Sequence, residues 1–473
     1  MRRRACLALP AALPWLPGCA VPTPAFDGAN GADGLDADLH HAAALRDAGL
    51  RDEHAWRLVR ALAAGIGPRP AGSAGDARAV AWAQDALRGL GLQAVRADPV
   101  PLRVWQRGPA AARLTAPQAR PLVMAALGNS VPAPPEGLEA EVAWYPDLAA
   151  LMADTSDRAR GRIVFIDQRT ERTRDGSGYG RAVGARFAGP VEAARRGAVA
   201  LAIRSIGTDR AAIAHTGATR YDIRVPRIPA FAVSVPDAEH MATLQAAGTP
   251  MRLAFTLQAR SDVEAVTHNV IADLPGSDLA HEAVLIGAHL DSWDLGQGAL
   301  DDAAGVGIVS AAAGLIAASG RRPRRTVRVV LFGNEENGFD GARAYGDRHA
   351  NVVHQLVAES DFGAGPIYRL SARVQAEAWP QVQAMASVLA PLGVGLGVNT
   401  GTPGPDAAVL MRRHRWPALQ LHQDGSRYFD VHHTEHDTVD QIDPAALRQN
   451  VACWAACTWL AAQSPVAFGP PTL

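Results

Sequence analysis

Two apolar runs stand out along the chain: residues 283–288 (Ala-Val-Leu-Ile-Gly-Ala) and residues 326–333 (Thr-Val-Arg-Val-Val-Leu-Phe-Gly). Runs of this length without polar alternation predict strands buried on both faces, as in a parallel sheet covered by helices. The first ends in His289-Leu-Asp291 and the second leads into Glu335-Glu336. Both acid/base clusters are therefore expected at strand ends, where open parallel sheets bind their ligands.

Around these runs the pattern changes three times. Trp56, Leu58, Val59 and Leu62 repeat at helical spacing until Gly65-Ile-Gly-Pro68; a second helix is predicted near 76–90, stopped by Gly91 and followed by a strand near 92–95. From about residue 108 to 262, short strand-like runs at 141–144, 162–166, 198–203, 230–235 and 251–257 alternate with turns, with one amphipathic stretch at 191–196. Residues 170–181, charged and containing Gly, read as a mobile surface loop. From residue 269 onward, strands near 283–288, 326–333, 355–360 and 417–421 alternate with helices near 302–318, 340–348, 379–391 and 444–462. The expected fold is α/β, a helix-layered, largely parallel mixed sheet. Residues 39–108 supply its first piece, residues 109–262 form an inserted β-rich domain, and residues 263–473 carry the catalytic part.

Composition narrows the function. The 473 residues carry a net charge of -1, and all 46 cationic residues are Arg. Such a balanced chain has no global basic field for nucleic acid. Residues 1–20 combine a positive start, a short apolar stretch and small residues, the pattern of an export signal, and residues 21–38 read as a flexible leader. Leu16-Pro17-Gly18-Cys19 is similar to a lipobox, so an outer-membrane lipoprotein anchored on Cys19 stands beside a simply secreted periplasmic or extracellular protein. Beyond the signal, Cys453 and Cys457 sit four apart on one helix face and read as small buried thiols. The sequence leaves a homodimer open.

The candidate chemistry lies at the strand ends. His289 and Asp291 share one side of the pleat, so one can hold a metal while the other orients it. Twelve residues past His289 comes Asp301-Asp302 at the start of an Ala-rich helix. Asp302 reads as a helix cap, and Asp301, with two carboxylate oxygens, can bridge two cations. Glu335 and Glu336 point different ways in extended geometry, one toward metal and one toward water. Asp361 follows the strand near 355–360, and residues 431–438 offer His432, His433 and His436 as further candidates.

At this point a resemblance appears. His289-Leu-Asp-Ser-Trp-Asp-Leu-Gly-Gln-Gly-Ala-Leu-Asp-Asp-Ala-Ala-Gly305, Asn334-Glu-Glu-Asn-Gly338, Glu359-Ser-Asp361 and His432-His-Thr-Glu-His-Asp-Thr438 resemble the co-catalytic di-zinc exopeptidases. That family includes bacterial leucyl aminopeptidases and carboxypeptidase Q, and the stretch around Trp293 looks most like the carboxypeptidase Q type. The resemblance implies two zinc ions per chain, with His289 and Asp361 on one, Glu336 and His433 on the other, and Asp301 bridging. It also implies Glu335 as general base, Asp291 orienting His289, a cis peptide at Asp301–Asp302, and a protease-associated domain as the insertion. His433 is taken over His432 and His436 because the family's ligand stands four before the Asp of its Asp-Thr pair.

The expected activity is therefore hydrolysis of peptide bonds in dipeptides or short peptides. Aminopeptidase action is the main alternative; a non-catalytic receptor on the same scaffold and a glutaminyl-cyclase-like acyltransferase are the others. Tyr428 is a candidate for holding the oxyanion, Trp293 and Asp294 for lining the site, and Asp406 for a structural acidic position.

Overall fold

The computed structural model describes residues 29–470. The export signal, Cys19 and the first part of the leader lie outside the described residues.

The first sheet has eight strands in the order Gln93–Gln106, Arg260–Leu274, Arg325–Phe332, Leu279–His289, Val353–Glu359, Ala418–Gln423, Ile367–Arg373 and Gly395–Leu396. The four from Arg325–Phe332 to Ala418–Gln423 run parallel, Gln93–Gln106 and Arg260–Leu274 pair antiparallel with their neighbours, and Ile367–Arg373 is antiparallel to Ala418–Gln423 but parallel to Gly395–Leu396. The apolar run at 283–288 is explained by cover on both faces. Val284 and Ile286 enter a core with the helices Ala304–Ala318 and Pro444–Gln463, while Leu285 enters another with Asp340–Arg348 and Pro405–His414. The apolar stretch Ala299–Ala318 matches a membrane span in length and composition but is 94% buried, a core helix. Glycine lets that helix approach closely: a Cβ at Gly307 would sit 2.8 Å from Val59 Cγ2.

Register brings the strand ends level. His289 pairs with Phe332, and Gly287 with Glu359. Residues 289–291, 335–336 and 361 therefore emerge at one edge of the sheet.

The second sheet also has eight strands, all within 110–257: Arg120–Leu122, Ala110–Ala116, Arg252–Leu257, Leu138–Tyr145, Ile163–Ile166, Ala200–Arg204, Ala230–Val233 and Met124–Ala126. Leu138–Tyr145 through Ala230–Val233 are parallel, with helices such as Leu148–Ala153 and Gly189–Arg195 between them. The expectation of a β-rich segment is corrected: this half is itself α/β, because parallel neighbours need crossovers and the helices supply them.

Two loop readings are also corrected. The stretch read as a flexible leader is helical from its later part onward, in Ala29–Gly49, where His41 packs on Trp459 of the C-terminal helix at 4.4 Å and Asp38 pairs with Arg321. The segment read as a mobile loop contains the helix Ser177–Ala182 and is fastened to the first half. Arg172 grips Asp430 with two nitrogens, Arg174 pairs with Asp424, and Tyr179 stacks on Phe429 at 4.5 Å. Charge and glycine content signal exposure, but these charges have partners about 250 positions away, out of reach of local pattern.

Candidate active site

The loop after the strand Leu279–His289 is held from beneath by Arg69, a fully buried guanidinium. It donates to the carbonyls of Leu290 (2.6 Å), Gln297 (2.8 Å) and Gly298 (2.9 Å). Asp437 accepts the amides of Leu300 and Asp301, and Asp302 accepts those of His289 and Gly305. Both Asp302 oxygens are thus spent on backbone, which is the cap reading. The Asp301–Asp302 peptide is cis.

Asp301 is the centre of the constellation. One oxygen lies 3.0 Å from His289 Nε2, and the other lies 3.1 Å from His433 Nε2. On the first side Asp361 stands 3.7 Å from His289 Nε2; on the second, Glu336 stands 3.1 Å from His433 Nε2. Asp291 differs in detail from expectation. Its backbone carbonyl, at 3.0 Å, is the closer partner of His289 Nδ1, while its carboxylate, 3.8 Å away, accepts the amides of Glu335 and Glu336. It fixes the loop of the two glutamates as much as the histidine. His432, expected only as a neighbour, stacks on His433 and comes within 3.4 Å of Asp301 Oδ2.

The electrostatics describe a site that demands positive charge. Against the cost of burial, Glu336 and Asp301 lift His433 to about 9. Burial, with Asp361 and Glu336 nearby, holds the Glu335 carboxyl well above its ordinary range. Asp301 Oδ2 and Glu336 Oε1 are buried without hydrogen-bond partners. Imidazole and carboxylate donors, converging with oxygens unpaired, suit a borderline divalent ion such as zinc.

These groups open into a pocket of about 690 Å³ between the two sheets. Glu335, Glu336, Asp361, His432, His433 and Tyr428 line one wall, and Tyr179, Val183, Arg186 and Phe187 come from the other half. Asp294 instead forms a two-nitrogen pair with Arg107, and Asp406 is buried behind Glu359 with neither oxygen partnered. Arg186 went unnoticed in the sequence, since nothing local separates it from 45 other arginines. It is 4% exposed, donates to Thr216 O (3.2 Å) and Tyr179 Oη (2.8 Å), lies 3.4 Å from His433 Nδ1, and forms no ion pair with a carboxylate among the described residues.

Comparison with known proteins agrees with this geometry. The profile described as Peptidase family M28 matches residues 269–458. Carboxypeptidase Q of Bos taurus and of Homo sapiens is 33% identical over 416 residues, covering 88% of this chain and 86% of theirs. A crystal structure of a Peptidase M28 precursor from Shewanella amazonensis superposes with TM-score 0.91 at 43% identity, covering 93% of this chain and 100% of that one. A zinc aminopeptidase from Bacillus subtilis shares the fold at TM-score 0.64 and 18% identity, over 89% of this chain and 97% of its own. With a histidine–carboxylate cluster at the sheet edge and relatives matched along nearly its whole length, the chain belongs to peptidase family M28 and is a metallo-exopeptidase.

Proposed function

We propose that this enzyme is a two-zinc, carboxypeptidase Q-like exopeptidase that releases the C-terminal residue of dipeptides or short peptides. His289 and Asp361 would hold one ion, Glu336 and His433 the other, and Asp301 would lie between them. When bound, zinc supplies a lowered pKa for a water ligand and polarises the scissile carbonyl. Glu335, facing the pocket with its backbone tied to Asp291, takes the proton from the attacking water and delivers it to the leaving amine. Asp291 keeps His289 and the glutamate loop in place. The insertion would be a protease-associated-like domain spanning 109–262 that closes the pocket, and residues 1–20 would direct export.

The observation that carries the carboxypeptidase direction is Arg186, a buried cation in the pocket wall with no anion of its own. A substrate's terminal carboxylate is the anion it fits. One observation favours the aminopeptidase reading: Glu359 also lines the pocket and leaves Oε1 unpaired, an acidic group for a free amine. Hydrolysis of unblocked, N-blocked and C-amidated dipeptides by zinc-loaded protein separates the two, with Glu335→Gln as control. The proposal expects cleavage that needs the free carboxylate and loss of about 10²–10⁴ in turnover, with zinc retained, in Glu335→Gln. Cleavage indifferent to amidation would make the enzyme an aminopeptidase, and near-normal turnover in the variant would remove Glu335 from its role.

A further inference from the structure

Trp293, two residues beyond Asp291, is clamped from several sides. Its benzo edge rests on Gly128 of the second half, where an added Cβ would fall 2.0 Å from Cη2; no side chain other than glycine's leaves room there. His433 packs edge-on at 5.8 Å, and the Arg107 guanidinium lies 6.0 Å from the ring centroid. Ser292 fixes the backbone beneath, donating to Trp293 O and accepting from the amide of Arg69. The indole is thus held in one orientation, yet its N–H is buried and has no acceptor.

A second observation places candidate acceptors beside the ring. Trp293, Asp301, Glu336 and His433 line a cavity of about 10 Å³, the size of a single water. Glu336 Oε1 is likewise unpaired, and Asp301 Oδ2 meets only the His433 and His432 imidazoles, at 3.1 and 3.4 Å. The residues that carry these groups therefore line one small space, and Asp301, Glu336 and His433 line the main pocket as well. Leaving a buried N–H unmet costs about 1–3 kcal/mol.

We propose that the Trp293 N–H is a positioning donor for the metal half built by Glu336 and His433, acting on the Glu336–Asp301 carboxylates directly or through one buried water. The inference rests on the two-zinc reading above. Trp293 touches neither substrate nor the reacting atoms; it fixes the carboxylates that receive the ion, and partners of this kind change metal affinity by about 10–100-fold. It also links the second half to the metal centre, because Gly128 sets the ring's position.

The test is zinc competition against a chromophoric chelator in wild type and Trp293→Phe, which keeps the ring and deletes the N–H. One of two equivalents should bind at least about 10-fold more weakly in the variant, the other within about twofold. In ¹⁵N-indole spectra of wild type, the resonance missing from Trp293→Phe should move on zinc addition. The indoles of Trp144, Trp454 and Trp459, also without acceptors, should not. Unchanged affinities for both ions, or a stationary Trp293 resonance, would overturn the inference. Should Trp293→Phe fail to fold, the resonance is assigned by Trp293→Tyr and its response to zinc decides alone. Wild-type protein that takes up no zinc would overturn the metal reading itself, and the inference with it.

Discussion

Replacing Arg186 by Met tests carboxylate recognition, with zinc content measured alongside because Arg186 Nη1 also lies 3.4 Å from His433 Nδ1. The guanidinium has five N–H groups. One is given to Thr216 O and one to Tyr179 Oη, and Nη1 also lies 3.4 Å from His433 Nδ1, which leaves two, counting Nε–H, which has no partner. A terminal carboxylate can accept two of these in the forked geometry that arginine favours. Each charged hydrogen bond is worth about 1.5–3 kcal/mol, for a gross value of about 3–6 kcal/mol. Because the pocket is open to solvent, part of this is recovered by water in the variant. The expected loss in kcat/KM is about 10²–10³-fold, or about 2.8–4.2 kcal/mol at 1.4 kcal/mol per decade.

The assay is a two-by-two comparison of wild type and Arg186→Met acting on a free dipeptide and its C-terminal amide. Wild type should lose about as much from amidation as from the mutation, and the variant should treat the two substrates alike within about threefold. Arg186→Lys should restore part of the discrimination, since an ammonium keeps the charge but not the fork. If the variant loses the same factor on both substrates, Arg186 supports the wall of the pocket rather than reading the substrate. The carboxypeptidase reading would then lose its carrying observation.

Three further outcomes follow from the same geometry. Asp301→Ala should fail to retain both zinc ions, because each of its oxygens faces a different histidine; full zinc content by atomic absorption after dialysis would contradict the bridging role. Arg69→Met strands the carbonyls of Leu290, Gln297 and Gly298, which at about 1–2 kcal/mol each destabilises metal-free protein by about 3–5 kcal/mol; an unchanged urea midpoint would refute this. Burial lifts the Asp76 carboxyl from 3.8 to about 6, so the fold favours its protonated form and stability from this group falls as pH rises through that window. The stability difference between Asp76→Asn and wild type should therefore grow by about 1.4 kcal/mol in the variant's favour from pH 5 to pH 8, and denaturation curves with parallel pH dependence would disprove the assignment.

The parts of the fold legible in the sequence are those where one physical requirement dominates a local window. Strands covered on both faces need consecutive apolar residues, so 283–288 and 326–333 declare themselves, and with them the position of His289 and the two glutamates. The Ala-rich helix is equally plain, because small residues are what close packing against the helix His54–Val59 requires. The strand Ile367–Arg373 escaped notice because it mixes Arg and Ser with apolar residues, next to the short edge strand Gly395–Leu396. Its identity depends on pairing with Ala418–Gln423, a contact that no local period encodes. In the second half the amphipathic stretch at 191–196 is the helix Gly189–Arg195, whereas the short helices Leu148–Ala153 and Ser177–Ala182 went unread because six-residue segments carry little periodic contrast. In the site, residue types that bind metal announce themselves by kind and spacing. Arg186 and Arg69 act only through burial and through partners brought from elsewhere in the chain, and such residues look the same in sequence as any surface arginine.

The two arginines also explain how so many acids are gathered in one place. Asp291, Asp301, Asp302, Glu335, Glu336, Asp361 and Asp437 crowd a small volume at the sheet edge, and Glu359 and Asp406 stand behind it. Ionised together without counter-charge they would oppose folding. The chain answers in two ways. Asp302, Asp291 and Asp437 spend their oxygens on backbone amides, six hydrogen bonds that fix the loops while dispersing charge into peptide dipoles. Arg69 places a permanent cation under the same loops, bonded to carbonyls and to no carboxylate, so its field acts on the whole cluster rather than neutralising one member. Oxygens left without hydrogen-bond partners after this arrangement include those of Asp301 and Glu336, beside a histidine that burial alone would keep neutral but its neighbours hold protonated, and those of Glu359 and Asp406 behind them. Asp301 and Glu336 are where residues of this kind would hold an ion, which would take the place of protons on the histidines. Asp302, Asp291 and Asp437 are thus satisfied by backbone, whereas Asp301, Glu336 and Glu359 keep an unpartnered oxygen and line the pocket.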